Sequence, residues 1–273
     1  MDWLLDPFSL GFMQRALVAG LLAVITTSLV GTWVVLRGLS FLGDALAHGV
    51  LPGIALGVLL GFDLTLGAVA SAIVMVVGIN LVHRYSRLSE DTAIGLLFVG
   101  MLAAGVVVIS RTASYSGSLT GILFGDALGT TATDVAVLAV GAIVAAVLST
   151  LLYRGFLALA FNEQKAELLG LHPRLAHLAL LTLVTMAVVT SFRTVGTLLV
   201  FGLLVAPPAT AALVVRRVPV MMLAAVGLGG VAVVGGLLVS YHANTAASAS
   251  MAGLAVAIFF LVLTARRLLT PAS

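Results

Sequence analysis

Asp44 and His48 carry the most chemistry in this 273-residue chain. They stand four apart in the segment Ser40-Phe41-Leu42-Gly43-Asp44-Ala45-Leu46-Ala47-His48-Gly49-Val50-Leu51-Pro52-Gly53. On a helix that spacing places a carboxylate and an imidazole on one face, one turn apart. The two donors form a hard and borderline pair suited to Zn²⁺, Mn²⁺ or Fe²⁺. Equally, the spacing suits a helix-terminal aspartate hydrogen-bonded to a structural histidine. Gly43, Gly49, Pro52 and Gly53 let the helix start or break beside the pair, as broken membrane helices do next to transported ions.

The elements that hold this pair are membrane spans. Of the residues, 62% are hydrophobic and only 8% are charged, against about 25% charge in a soluble domain. A soluble enzyme, a disordered chain and a nucleic-acid binder are excluded on that balance. Uncharged runs cover Ala16–Leu36, Ala45–Phe62, Leu64–His83, Thr92–Ser110, Val135–Tyr153, Leu175–Phe192, Thr194–Val215 and the double-length Val218–Ala265. A span takes about 20 apolar residues, so the expectation is an all-α polytopic membrane protein of about nine helices. The last run is expected to turn within Ser240–Ser250. The runs do not alternate as barrel strands would. Ser114–Gly129 is too short and polar to cross and reads as a half-helix or re-entrant segment. Residues 1–273 form one transmembrane domain with no soluble appendage.

Nine spans put the termini on opposite sides. One set of loops then carries Arg37, Arg84, Arg87, Arg154, Lys165, Arg174, Arg216, Arg217, Arg266 and Arg267, the other only Arg15, Arg111 and Arg193. The basic set is expected in the cytoplasm, with the N-terminus outside and the C-terminus inside. Asp2 and Asp6 stand where a signal peptide has its basic region. With no Cys, thiolate sites and disulfides are out. The tripeptide Val30-Gly31-Thr32 recurs as Val195-Gly196-Thr197, a chance match in a chain rich in Val and Gly.

Other polar residues are weaker candidates. His242, after Tyr241, could meet an incoming cation. His83 suits a helix end, and His172 and His177 suit interfacial positions. Asp63, Asp126 and Asp134 fall in or beside outside loops, where solvation accounts for them. Met221 and Met222 belong to the core or the lipid face. Pro207-Pro208 should kink the seventh helix.

The sequence resembles the permease subunit of ABC importers for zinc, manganese and iron. Gly31-Thr32-Trp33-Val34-Val35-Leu36-Arg37 and then Ser40 to Gly53 fit the family's G-T-x-x-V-L-R and S-F-x-G-D-A-x-x-H-x-x-L-P-G runs. Glu90-Asp91-Thr92-Ala93-Ile94-Gly95 fits its E-D-x-A-I-G segment. Val195 to Val200, with Ala206-Pro207-Pro208-Ala209-Thr210-Ala211, fits another. Phe161-Asn162-Glu163 through Ala166 and Gly170 fits its cytoplasmic loop, although Asn162 stands where the family has Asp. Ala246-Ala247-Ser248-Ala249 lacks the family's Pro-x-Gly.

The resemblance implies a fold of the vitamin B12/metal type, with metal passing Asp44 and His48. It makes the loop at about 160–174 a coupling helix, with Glu163, Ala166, Glu167 and Gly170 against a separate ATPase. Lys165 is the lone lysine and Gln164 precedes it, so the chain has no G-x-x-x-x-G-K-[ST] phosphate loop. No cofactor is expected on this chain; ATP belongs to the partner. The resemblance further implies a second permease copy or paralogue and an extracellular metal-binding protein, all in a lipid membrane and without nucleic acid. Two copies would bring together two acid–imidazole pairs, about the four ligands of a zinc site. That count leans the reading to zinc over manganese. A gradient-driven secondary transporter is the rival that needs no ATPase. An intramembrane metalloenzyme would need an H-E-x-x-H run, which is absent. A chelate substrate fits the short outside loops less well than a bare ion.

Overall fold

In the computed structural model the described residues are 6–86, 88–110, 125, 127–161 and 172–269, with backbone alone at 83, 84, 193, 194, 197 and 198. Among them the chain is helical and contains no strand. After a 3-10 turn at Asp6–Ser9 come α1 (Gly11–Leu36), α2 (Phe41–Gly49), α3 (Leu51–Leu60), α4 (Leu64–Tyr85), α5 (Glu90–Ile109), α6 (Ala132–Leu151), α7 (Tyr153–Phe161), α8 (Pro173–Val214), α9 (Val218–Ala243) and α10 (Ala247–Leu269). Eight segments among the described residues are long and apolar enough to cross a membrane, and α2 with α3 counts as one of them. The shorter Leu199–Val214 limb of α8 is a ninth apolar helix, which meets the expected number.

α1 is the central post. Two-thirds of its most apolar window (67%) is buried, against 17% for α5 at the periphery. Threonines inside α1 are satisfied within the helix: the Thr27 hydroxyl donates to the Ala23 carbonyl and that of Thr32 to the Ser28 carbonyl, both at 2.7 Å. This i−4 bonding lets hydroxyls sit in apolar surroundings. Short turns join α1 to α2, α3 to α4, α4 to α5, α8 to α9 and α9 to α10. Asp63 caps α4 by accepting from the Thr65 and Leu66 amides, and Asp134 closes a capping box with Thr131 at the start of α6. Both aspartates therefore hold helix ends, a more specific role than solvation. Asp126 lies outside the described residues, as does most of Ser114–Gly129.

The kink expected at Pro207-Pro208 lies elsewhere. Both prolines sit within helical geometry, and α8 breaks at Gly196, where φ is +77° and ψ 158°. A side chain is strongly disfavoured there. Gly125, itself at φ +63°, packs against the Gly196 backbone with no room for a Cβ. Gly31, by contrast, is an ordinary α1 residue, so the repeated tripeptide has two conformations and marks no structural repeat. Asn244, left-handed at φ 51°, ends α9, and the turn to α10 falls within the expected Ser240–Ser250.

Candidate functional site

α2 is a nine-residue helix with Asp44 in its first turn and His48 in its last. That order suits the helix dipole, with the acid toward the N-terminus and the imidazole toward the C-terminus. The break after Gly49 is local. Pro52 has no N–H to give the His48 carbonyl, and the Ser71 hydroxyl of α4 donates to the Gly49 carbonyl at 2.8 Å. Close by, Gly53 of α3 and Gly67 of α4 touch backbone to backbone, and a Cβ on either would overlap the other's carbonyl. α4 therefore clamps the chain just beyond His48.

The Asp44 and His48 side chains come together as the spacing predicts. His48 Nδ1 lies 3.1 Å from the Asp44 backbone carbonyl and 3.4 Å from its Oδ1. Both groups accept only, so Nδ1 carries the hydrogen and Nε2 keeps its lone pair. Histidines that bind metal are held in this way through their second nitrogen. The side chains are 24% (His48) and 27% (Asp44) exposed, so the pair stands on an open flank. The Phe98 ring of α5 meets the imidazole edge to face at 5.6 Å, and Phe41 packs on Phe98 at 5.3 Å. Among the described residues no three His, Cys, Asp or Glu side chains group as one metal site. The pair thus supplies two donor groups, an imidazole nitrogen and a carboxylate, on one helix face.

A second polar cluster was not visible in the sequence. Arg37 at the end of α1 reaches His177 Nδ1 of α8 at 2.7 Å and Glu90 Oε2 of α5 at 3.2 Å. His177 Nε2 faces Glu90 Oε1 at 3.5 Å. The three side chains are mostly buried. Arginine can only donate, so Nδ1 is an acceptor here and the ring hydrogen is on Nε2. The ring of contacts is closed and His177 has no lone pair to offer a cation. Its tautomer is the reverse of that at His48. The separations of 140 and 53 residues hid this cluster; the run from Glu90 to Gly95 was the one local hint.

The remaining candidates stand apart from the pair. His242 is exposed at the end of α9, its ring 5.2 Å from that of Tyr241. It joins no three-residue cluster with Asp44 and His48. His172 precedes α8 without a side-chain capping bond. Met221 and Met222 are buried in the core. Glu163, Ala166, Glu167 and Gly170 lie outside the described residues, as does the His83 side chain.

The fold is a bundle of apolar helices, long enough in eight segments to cross a membrane, with a carboxylate–imidazole pair where α2 gives way to α3. The model of the ABC 3 transport family matches residues 9–266, and the chain belongs to that family. It is 37% identical over 251 residues to the manganese transport system membrane protein MntC of Listeria innocua, covering 92% of this chain and 89% of that one. It is 35% identical over 265 residues to a Haemophilus influenzae protein described as an iron transport system membrane protein, covering 96% of each. Among solved structures it is similar to PsaBC from Streptococcus pneumoniae in complex with Fab. That match has a TM-score of 0.84 and 31% identity, and covers 96% of this chain and 94% of that one. The ABC-permease expectation, drawn from segments between Gly31 and Ala211, is therefore borne out: the chain is a membrane transport component and not an enzyme.

Proposed function

We propose that this protein is the permease of an ATP-driven importer for a bare divalent transition-metal ion, manganese foremost. The observation that carries the reading is the His48 contact: Nδ1 lies 3.1 Å from the Asp44 carbonyl, which leaves Nε2 and the Asp44 carboxylate as donors on one helix face. Two copies related by symmetry, flank to flank, complete the shell with two nitrogens and two carboxylates. Water fills the remaining positions of a six-coordinate ion. Partial coordination suits cargo that must leave again. The thinly buried α5 beside the site, with Leu96, Val99, Val106 and Val107 exposed, supports coverage by the second copy. Manganese rather than zinc follows from the oxygen donors and from the manganese and iron relatives, and it reverses the lean drawn from a ligand count.

Residues 1–273 act as one transmembrane unit in this reading. The arginine-rich ends face the cytoplasm, with the N-terminus outside, and Glu163, Ala166, Glu167 and Gly170 dock on a separate ATPase. An external metal-binding protein delivers the ion. Uptake of radioactive manganese in cells expressing the whole system tests the proposal. The Asp44→Ala, His48→Ala double variant is expected to lose uptake at normal membrane abundance, and undiminished uptake would refute the site.

A further inference from the structure

A cleft of about 500 Å³ opens between α6 and α9 over the face of α1, on no part of the Asp44–His48 site. Leu29, Ala146 and Met222 line its body, and Ser149, Tyr153 and Arg154 give it a polar end. A mostly apolar cavity with a few convergent polar groups is the usual form of a ligand site. Leu29 lies seven residues before the end of α1, about 10 Å along the helix. The cleft therefore starts at the arginine-rich end and reaches well into one leaflet, whose hydrocarbon is about 15 Å deep.

The charge around its mouth says what fills it. Arg154 is exposed at the mouth, and Arg216 and Arg217 sit on the turn just before Pro219, which also lines the cleft. None of these three arginines forms an ion pair among the described residues. An apolar trough with guanidinium charge at membrane-surface depth matches the acyl chain and phosphate of one molecule. Basic pockets between spans hold anionic headgroups in this way.

We infer that the α6–α9 cleft is a binding site for an anionic phospholipid, with Arg154 on the phosphate and an acyl chain along Leu29, Ala146 and Met222. The site is independent of the transport reading.

The chain holds its own reporter. It has two tryptophans, and one, Trp33, is fully buried with its ring centroid 5.5 Å from that of cleft-lining Tyr153. In a Trp3→Phe background, the full-length permease is reconstituted into vesicles carrying acyl-brominated phosphatidylglycerol or acyl-brominated phosphatidylethanolamine at equal fraction. Bromine in the cleft lies next to the Trp33–Tyr153 contact, and filling the cleft by Ala146→Phe separates this quenching from that by surrounding lipid. Half-quenching is expected at about fivefold less phosphatidylglycerol than phosphatidylethanolamine, the worth of one basic side chain near an anionic lipid. Arg154→Gln should bring that ratio to about one and Arg154→Lys should keep it. Ala146→Phe should abolish quenching by both lipids while the Trp33 emission in unbrominated vesicles stays unchanged. Equal quenching by the two lipids in the unmodified cleft, a preference that survives Arg154→Gln, or no quenching at all would overturn the inference.

Discussion

His48 Nδ1 lies 3.1 Å from the backbone carbonyl of Asp44. The imidazole is thus oriented by the peptide group of the residue whose side chain shares its helix face. The backbone contact does not depend on the Asp44 side chain, whose Oδ1 also faces Nδ1, at 3.4 Å.

Asp44→Asn should keep the imidazole in place and remove only the negative charge and the anionic donor. Manganese uptake is expected to fall at least about tenfold, in line with the loss of a group that tunes a metal ligand. His48→Gln should fall as far, although Asp44 is untouched. Concentration-dependent uptake at matched membrane abundance checks both. An Asp44→Asn variant with unmodified uptake would leave the carboxylate without a role.

The Arg37–Glu90–His177 cluster ties the ends of α1, α5 and α8 together, so its loss should be read as stability. Removing one partner of a buried ion pair costs about 3–5 kcal/mol, whereas replacing both by apolar groups is often neutral. Arg37→Met or Glu90→Gln alone should lower the thermal unfolding temperature in detergent. The double variant Arg37→Met, Glu90→Leu should recover most of the loss. A double variant no better than the worse single one would refute the pairing.

Gly196→Ala should destabilise by about 1–3 kcal/mol, the usual cost of a strained backbone position. Its Cβ must occupy φ +77° beside Gly125. Ala substituted at Gly227, where an added Cβ would meet nothing within 4 Å, is the control and should stabilise or leave unfolding unchanged. Thermal unfolding of the purified variants checks the contrast.

Much of this was legible in the sequence. Uncharged runs gave the spans because lipid tolerates no other segment. The four-residue step from Asp44 to His48 gave their side-chain contact because helical geometry converts spacing into direction. The α8 break was misplaced because Pro207 and Pro208 advertise a kink locally, while Gly196 owes its turn to a φ only glycine reaches and to Gly125 packed against it. The Arg37–Glu90–His177 ring depends on which helix ends meet in space, and no local pattern encodes that. The same limit applied to the histidines. His48 and His177 look alike as letters, and only their neighbours fix opposite tautomers, one with an open Nε2 and one without.

The most direct test of the central claim is electron paramagnetic resonance of Mn²⁺ bound to the purified permease with its ATPase. One ion per two permease chains is expected, with nitrogen coupling from two equivalent imidazoles that disappears in His48→Ala and persists in His177→Gln. Nitrogen coupling that survives His48→Ala would contradict the account.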